Sequence, residues 1–314
     1  MRSPNRRCTK TFIMTTIILL LSMSMVAGAG VAKDKITIGI AIPYIGQEFW
    51  ADVAKGVREA VAEHPNVKLI YAESHQNPTE QIGQIESFIA AGVDVILLPP
   101  ADPTALAPAV REAKRANIPV IGVDTAVVGE EVVSLVASNN LSVGRIAGKY
   151  IAKQLNGKGD LVVIGYPQHE ATRKRVEGLK LALKDYPGIR IITEQVGKLP
   201  PDTYAQAEDI LTAYPKFDAV FGVADVLTIP FWKAAKDVGR NKEIIFVGVD
   251  ATGEAIAAIK EKSGYAATVA QQPVNMGRLA VETALKVVKG ERVDKFIEVP
   301  TLLVTIDNVN KFVK

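Results

Sequence analysis

Val93-Asp94-Val95 leads through Ala101-Asp102 and the helical run Arg111-Glu112-Ala113-Lys114 to Ile121-Gly122-Val123-Asp124-Thr125. Phe217-Asp218-Ala219 leads in the same way through Ala224-Asp225 and Lys233-Ala234-Ala235-Lys236 to Val247-Gly248-Val249-Asp250-Ala251-Thr252. Even a proline recurs early in each helical run, Pro108 and Pro230. One strand–turn–helix–strand unit therefore occurs once in each half of the chain, which predicts two similar lobes. In sheets of this kind ligands bind beyond the carboxyl ends of the strands. Asp124 and Asp250 close equivalent strands, so each lobe offers one carboxylate at its binding edge. An aspartate after a strand also serves as a turn or N-cap residue, and for each that alternative stays open.

The same alternation extends in both directions. Apolar runs of strand length are expected at Ile36–Ile42, Val67–Tyr71, Val93–Leu98, Val120–Val123 and Val132–Val136. After Asn140 they continue at Leu161–Ile164, Ile189–Thr193, Ala219–Val223, Ile244–Val249 and Tyr265–Val269. Helical spacing over Trp50–Ala62, Thr79–Ala91 and Thr104–Ala116 separates the earlier strands. Apolar strands alternating with helices of about a dozen residues imply parallel sheets covered on both faces. The expected class is α/β, with two doubly wound parallel-sheet lobes.

The 314 residues are 48% hydrophobic and 23% charged, an ordinary globular balance with room for two domains. The formal charge is +3, but Arg2, Arg6, Arg7 and Lys10 lie in an acid-free leading stretch. Removing their four positive charges leaves the remainder at −1. A nearly neutral body has no electrostatic footprint for nucleic acid. Arg2–Lys10, the apolar run Phe12–Val26 and the small tract Ala27–Ala32 have the three-part layout of a secretory signal peptide. Cleavage is expected after Ala29 or Ala32, giving an exported protein. The apolar run is shorter than the ~20 residues of a spanning helix. The single cysteine, Cys8, lies in this leader, so the mature chain offers no disulfide, thiolate metal site or cysteine nucleophile.

No catalytic motif emerges. His64, His75 and His169 are scattered, and no nucleophile elbow or dinucleotide fingerprint follows a strand. Gly144-Arg-Ile-Ala-Gly148-Lys149 is too short for a phosphate loop and lies inside an expected helix, so it reads as a packing feature. Neither enzyme chemistry, a metal nor a cofactor is expected. Gln47-Glu-Phe-Trp50 sits between the first strand and its helix, at the binding edge. Adjacent Phe49 and Trp50 point in different directions, so they either stack on the C–H face of a sugar or pack beneath the first helix.

Ile36–Trp50, Ser74-His-Gln-Asn-Pro78, Val93–Asp102, Ile118–Asp124, Arg173-Lys-Arg-Val-Glu-Gly178, Ile210-Leu-Thr-Ala-Tyr-Pro215, Val247-Gly-Val-Asp250 and Ala267-Thr-Val-Ala-Gln-Gln-Pro273 run through nearly the whole mature chain. In these segments the sequence resembles the type I periplasmic solute-binding proteins, near their ribose-binding branch. The resemblance implies two lobes joined by three crossings, here near Ser138, Gln272 and Pro300. The first lobe would take residues 33–138 and 272–299, the second 139–271 and 300–314, after a leader at 1–32. It implies closure around a monosaccharide, deoxysugar or polyol and delivery to the permease of an ABC importer. A sensor role, presenting a sugar or furanosyl signal to a membrane chemoreceptor or kinase, is the alternative. A monomer is expected. Position by position, Phe49 and Trp50 match an aromatic pair that sandwiches the sugar, and Asp124 and Asp250 the two carboxylates. Arg175 matches the guanidinium, Gln271 a glutamine at the hinge edge, and Gln47 an amide donor. Asn139 and Tyr166 complete the candidate ligand-binding set. Pro99 and Ala224 stand where ribose binders have asparagines, Pro43 replaces a serine, and Thr125 replaces an arginine.

Overall fold

The computed structural model describes residues 35–198 and 202–312; the expected leader and its cleavage sites lie outside them. The chain first builds β1 (Ile36–Ile42), β2 (Val67–Glu73), β3 (Val95–Leu98), β4 (Val120–Val123) and β5 (Ser134–Ser138). Between them run α1 (Glu48–Ala62), α2 (Pro78–Ala90) and α3 (Ala107–Arg115). A second series follows, with α4 (Asn140–Gln154), β6 (Lys158–Gly165), α5 (Glu170–Leu183), β7 (Gly188–Val196), α6 (Asp202–Ala213) and β8 (Ala219–Gly222). It continues through α7 (Asp225–Asp237), β9 (Ile245–Val249), α8 (Gly253–Lys260) and β10 (Tyr265–Ala270). Then α9 (Pro273–Val288), β11 (Phe296–Val299) and β12 (Leu302–Thr305) close the fold.

Two six-stranded sheets result, in the orders β11-β5-β4-β3-β1-β2 and β12-β10-β9-β8-β6-β7. The chain passes between the sheets after β5, after β10 and between β11 and β12. Strands β3, β4 and β8 are buried along their whole length, as expected of parallel strands covered by helices on both faces. Separate apolar clusters line the two faces of the first sheet, and another fills the second lobe around Phe221, Phe231 and Phe246.

Two expectations need correction. The second sheet is not wholly parallel, because β12 pairs antiparallel with β10. Strand β10 runs toward the crossing region and β12 leaves it just after Pro300, so the two must point in opposite directions. Helix α3 also starts three residues later than its apolar spacing suggested. Asp102 Oδ1 accepts the backbone N–H groups of Thr104 and Ala105, each at 2.8 Å, and this turn replaces the first helical turn.

Helices α4 and α5 touch through glycines. A Cβ on Gly144 of α4 would overlap the carbonyl oxygen of Arg175 on α5, and one on Gly178 would overlap that of Leu141. Gly144 and Gly148 are thus packing residues, as their helical setting implied. Gly144→Ala should cost about 1–3 kcal/mol, since neither backbone can yield cheaply. Urea unfolding checks this; an unchanged midpoint would mean that α4 and α5 slide apart freely.

Candidate functional site

The carboxyl ends of both sheets open onto one cavity of about 130 Å³, lined by residues of both lobes. That is far above the ~10–15 Å³ one water needs. It lies below the roughly 300 Å³ at which drug-sized ligand pockets begin. Gln47, Phe49, Trp50 and Asp124 from the first lobe line it, with Tyr166, Arg175, Asp250 and Gln271 from the second. Eight of the nine residues expected from sequence therefore meet in one place.

Asn139 does not. It is the N-cap of α4, where its Oδ1 accepts the Ser142 backbone N–H at 3.1 Å and its Nδ2 donates to Glu298 at 3.3 Å. The neighbouring Asn140 is the residue that bears on the cavity, through Arg175. Its Oδ1 accepts from Arg175 Nε at 2.8 Å. The close approach of α4 and α5 makes that bond possible.

The two aspartates sit alike. Asp124 follows β4 with φ 66°, and Asp250 follows β9 with φ 112°. Their backbone N–H groups donate to the next strand, to Val136 at 2.9 Å and Val269 at 3.0 Å. Non-glycine residues in this left-handed region cost on the order of 1–3 kcal/mol, a strain that collects at functional sites. Both are turn residues, but neither caps a helix: Thr252, not Asp250, caps α8. The side chains instead face the cavity. Oδ2 of Asp124 accepts from the Thr125 hydroxyl at 2.9 Å. Its Oδ1 is buried and has no hydrogen-bond partner among the described residues. Asp250 Oδ1 accepts from Gln271 Nε2 at 2.7 Å and lies 3.7 Å from Arg175 Nη1. Gln271 Oε1 is then left buried and likewise unpartnered among the described residues.

Burial dominates the protonation of these groups. It raises Asp124 against the opposing pull of Arg175 and the Thr125 hydroxyl. It raises Asp250 to about 6, although Arg175 and the Gln271 hydrogen bond both favour the charged form. It lowers His169, favouring the neutral imidazole against the charges of Asp124 and Asp102. Behind the cavity Asp225 is fully buried and pushed up to about 7, first by burial and then by the charge of Asp250.

Phe49 and Trp50 contact one another edge-to-face, with centroids 4.9 Å apart and planes at 83°. Nothing fits between them, so the pair is one wall and not the two sides of a sandwich. Trp50, 8% exposed, also belongs to the first-lobe core, and Phe49 packs against that core. Both rings therefore line the cavity and pack on the core at once. On the second lobe Tyr166 and His169 tilt against each other at 5.5 Å. His169, Thr125 and Gln76 also line the cavity and were not among the expected site residues. Only their places in turns after strands could have flagged them. At the rim, Glu48 Oε2 on α1 accepts the Gly253 N–H at the start of α8, 2.9 Å away, joining the lobes.

A family described as periplasmic binding protein domain matches residues 38–292. The chain is 32% identical over 276 residues to the ribose import binding protein of Bacillus subtilis, covering 87% of this chain and 88% of that one. It is 31% identical over 284 residues to the ribose import binding protein of Escherichia coli, covering 89% and 94%. Among solved structures, an ABC transporter solute-binding protein from Bacillus halodurans with bound myo-inositol superposes with a TM-score of 0.84 at 28% identity, covering 90% of this chain and 99% of that one.

Proposed function

The chain belongs to the periplasmic binding protein domain family, and from that premise we propose that it captures one monosaccharide, deoxysugar or polyol between its lobes for the permease of an ABC importer. The observation that carries this reading is the pair of buried, unpartnered acceptors, Asp124 Oδ1 and Gln271 Oε1, set in a cavity with an aromatic wall. Buried acceptors are costly to leave unmade, by roughly 1–3 kcal/mol each. Ligand hydroxyls supply the missing donors, and the faces of Phe49 and Trp50 suit the C–H surface of a sugar ring. Arg175 and Asp250 present a donor and an acceptor beside them, with Gln47 and Tyr166 at the edge. The relatives named for ribose and the neighbour holding myo-inositol support a compact polyhydroxylated ligand. The family consists of solute-binding proteins, and binding without turnover is assigned here.

In this reading residues 33–138 with 272–299, and 139–271 with 300–314, are bodies that close on the ligand about the three crossings. The protein works as a monomer in the periplasm, after cleavage following Ala29 or Ala32. A thermal-shift panel of pentoses, hexoses, deoxysugars, cyclitols and linear polyols tests the proposal. A ligand at a hundred times its dissociation constant should add about 2.7 kcal/mol to unfolding stability. No shift with any member would overturn the saccharide and polyol reading.

A further inference from the structure

Charge in the cavity does not balance. Asp124 and Asp250 line it, and the compensating cation there among the described residues is Arg175. His169 offers little compensation, because burial pushes its ring toward the neutral form. The residue after Asp124 is Thr125, whose hydroxyl gives Asp124 Oδ2 a donor but no charge.

Arg175 makes its hydrogen bonds elsewhere than to Asp124. Its Nε donates to Asn140 Oδ1 and its Nη1 to the Val223 carbonyl, both at 2.8 Å, and Nη1 stands 3.7 Å from Asp250. Asp250 is further satisfied by Gln271. The orphan is therefore Asp124, with one buried oxygen lacking a donor. Gln271 adds a second buried oxygen of the same kind, and its orientation is fixed because its Nε2 must face the Asp250 carboxylate.

Both open positions accept hydrogen bonds, and one belongs to a carboxyl that hydrogen-bonds no cation and that burial pushes toward its neutral form. A hydroxyl supplies a single donor and leaves the charge buried unpaired, a costly arrangement. An ammonium supplies three donors and the missing charge together. Resting on the polyhydroxylated-ligand reading above, we propose that the ligand is an amino sugar or amino polyol whose ammonium group sits against Asp124.

Titration calorimetry on matched pairs tests this: 2-amino-2-deoxy-D-galactose against D-galactose, 2-amino-2-deoxy-D-glucose against D-glucose, 1-amino-1-deoxyribitol against ribitol, and an aminocyclitol against myo-inositol. In at least one pair the amine should bind tighter than its hydroxyl parent by roughly tenfold or more, the scale of one charge-assisted hydrogen bond. Asp124→Asn should weaken the amine more than its hydroxyl parent, narrowing the gap between the two to within about threefold. Melting of the variant shows whether it folds; if it does not, the paired comparison on the unaltered protein decides alone. Hydroxyl parents that bind as tightly as their amines, or tighter, overturn the cation while leaving the polyol reading intact. An amine advantage that survives intact in a folded Asp124→Asn protein also overturns it. Silence from every member of both series overturns the polyol reading and this inference with it.

Discussion

Arg175→Met should lower unfolding stability by roughly 3–5 kcal/mol at pH 8, the usual cost of removing one partner from a buried charge pair. The side chain is 4% exposed, and three partners depend on it. Asn140 Oδ1 and the Val223 carbonyl lose their donors, and Asp250 loses its counter-charge. Binding should fail as well, since the charges of Asp124 and Asp250 would repel each other in a cavity that has lost its guanidinium. The pH dependence identifies the cause. Asp250 already titrates near 6 with the guanidinium beside it, so without it the value must climb further. A carboxyl whose folded value is raised contributes stability at low pH that is lost as pH rises through that folded value. The deficit of the variant should therefore be smaller near pH 5, where Asp250 is protonated and only the two neutral acceptors suffer, and full near pH 8. Urea unfolding of both proteins at the two pH values measures it. An equal deficit at both would assign the loss to packing and the two neutral acceptors, not to the stranded carboxylate.

The two-lobed plan was readable because each strand–turn–helix–strand unit carries its own period, and the repeat marks equivalent positions. Asp124 and Asp250 were found that way, and they occupy matching left-handed turns. What sequence could not show depends on contacts between distant residues. Asp102 and Asp225 are equivalent in the repeat, yet one holds a surface turn and the other is sealed inside by Tyr265 and Thr268. Strands β11 and β12 hold four residues each and gain their place from pairing with β5 and β10, far away in the chain. Of the adjacent pair Asn139 and Asn140, the helix takes the first as its cap and turns the second to Arg175; that choice follows from where α4 begins. The neighbouring rings of Phe49 and Trp50 were identifiable as site residues, whereas their edge-to-face contact is a matter of rotamer and packing.

Asp225→Asn should change the shape of the stability–pH curve more than its height. Asp225 is completely buried and accepts from Tyr265 at 2.7 Å and Thr268 at 2.9 Å on one oxygen. Its other oxygen accepts from the Thr252 N–H at 3.0 Å and the Thr252 hydroxyl at 3.3 Å. These four donors favour the charged form, yet burial and the charge of Asp250 win and carry the group from 3.8 up to about 7. The folded chain thus holds a proton that the unfolded chain releases. The contribution of Asp225 to unfolding stability therefore falls as pH rises from about 4 to about 7, by a few kcal/mol at ~1.4 kcal/mol per unit. An asparagine removes that titration. Its carbonyl can still accept the Thr252 N–H, and its amide can donate to hydroxyls that are free to rotate. The variant should match or exceed the parent at pH 8, lose that advantage at pH 4.5, and show a flatter curve between. Asp225→Ala separates charge from hydrogen bonding: it strands the Thr252 N–H and three hydroxyls, which should cost about 1–3 kcal/mol for each group left unsatisfied at every pH. Because Thr252 ends the turn that presents Asp250, the alanine variant should also weaken ligand binding, while the asparagine variant, which keeps the turn anchored, should not. Parallel curves for parent and asparagine variant would show that Asp225 is already ionised in the fold, held by its four donors against the burial around it.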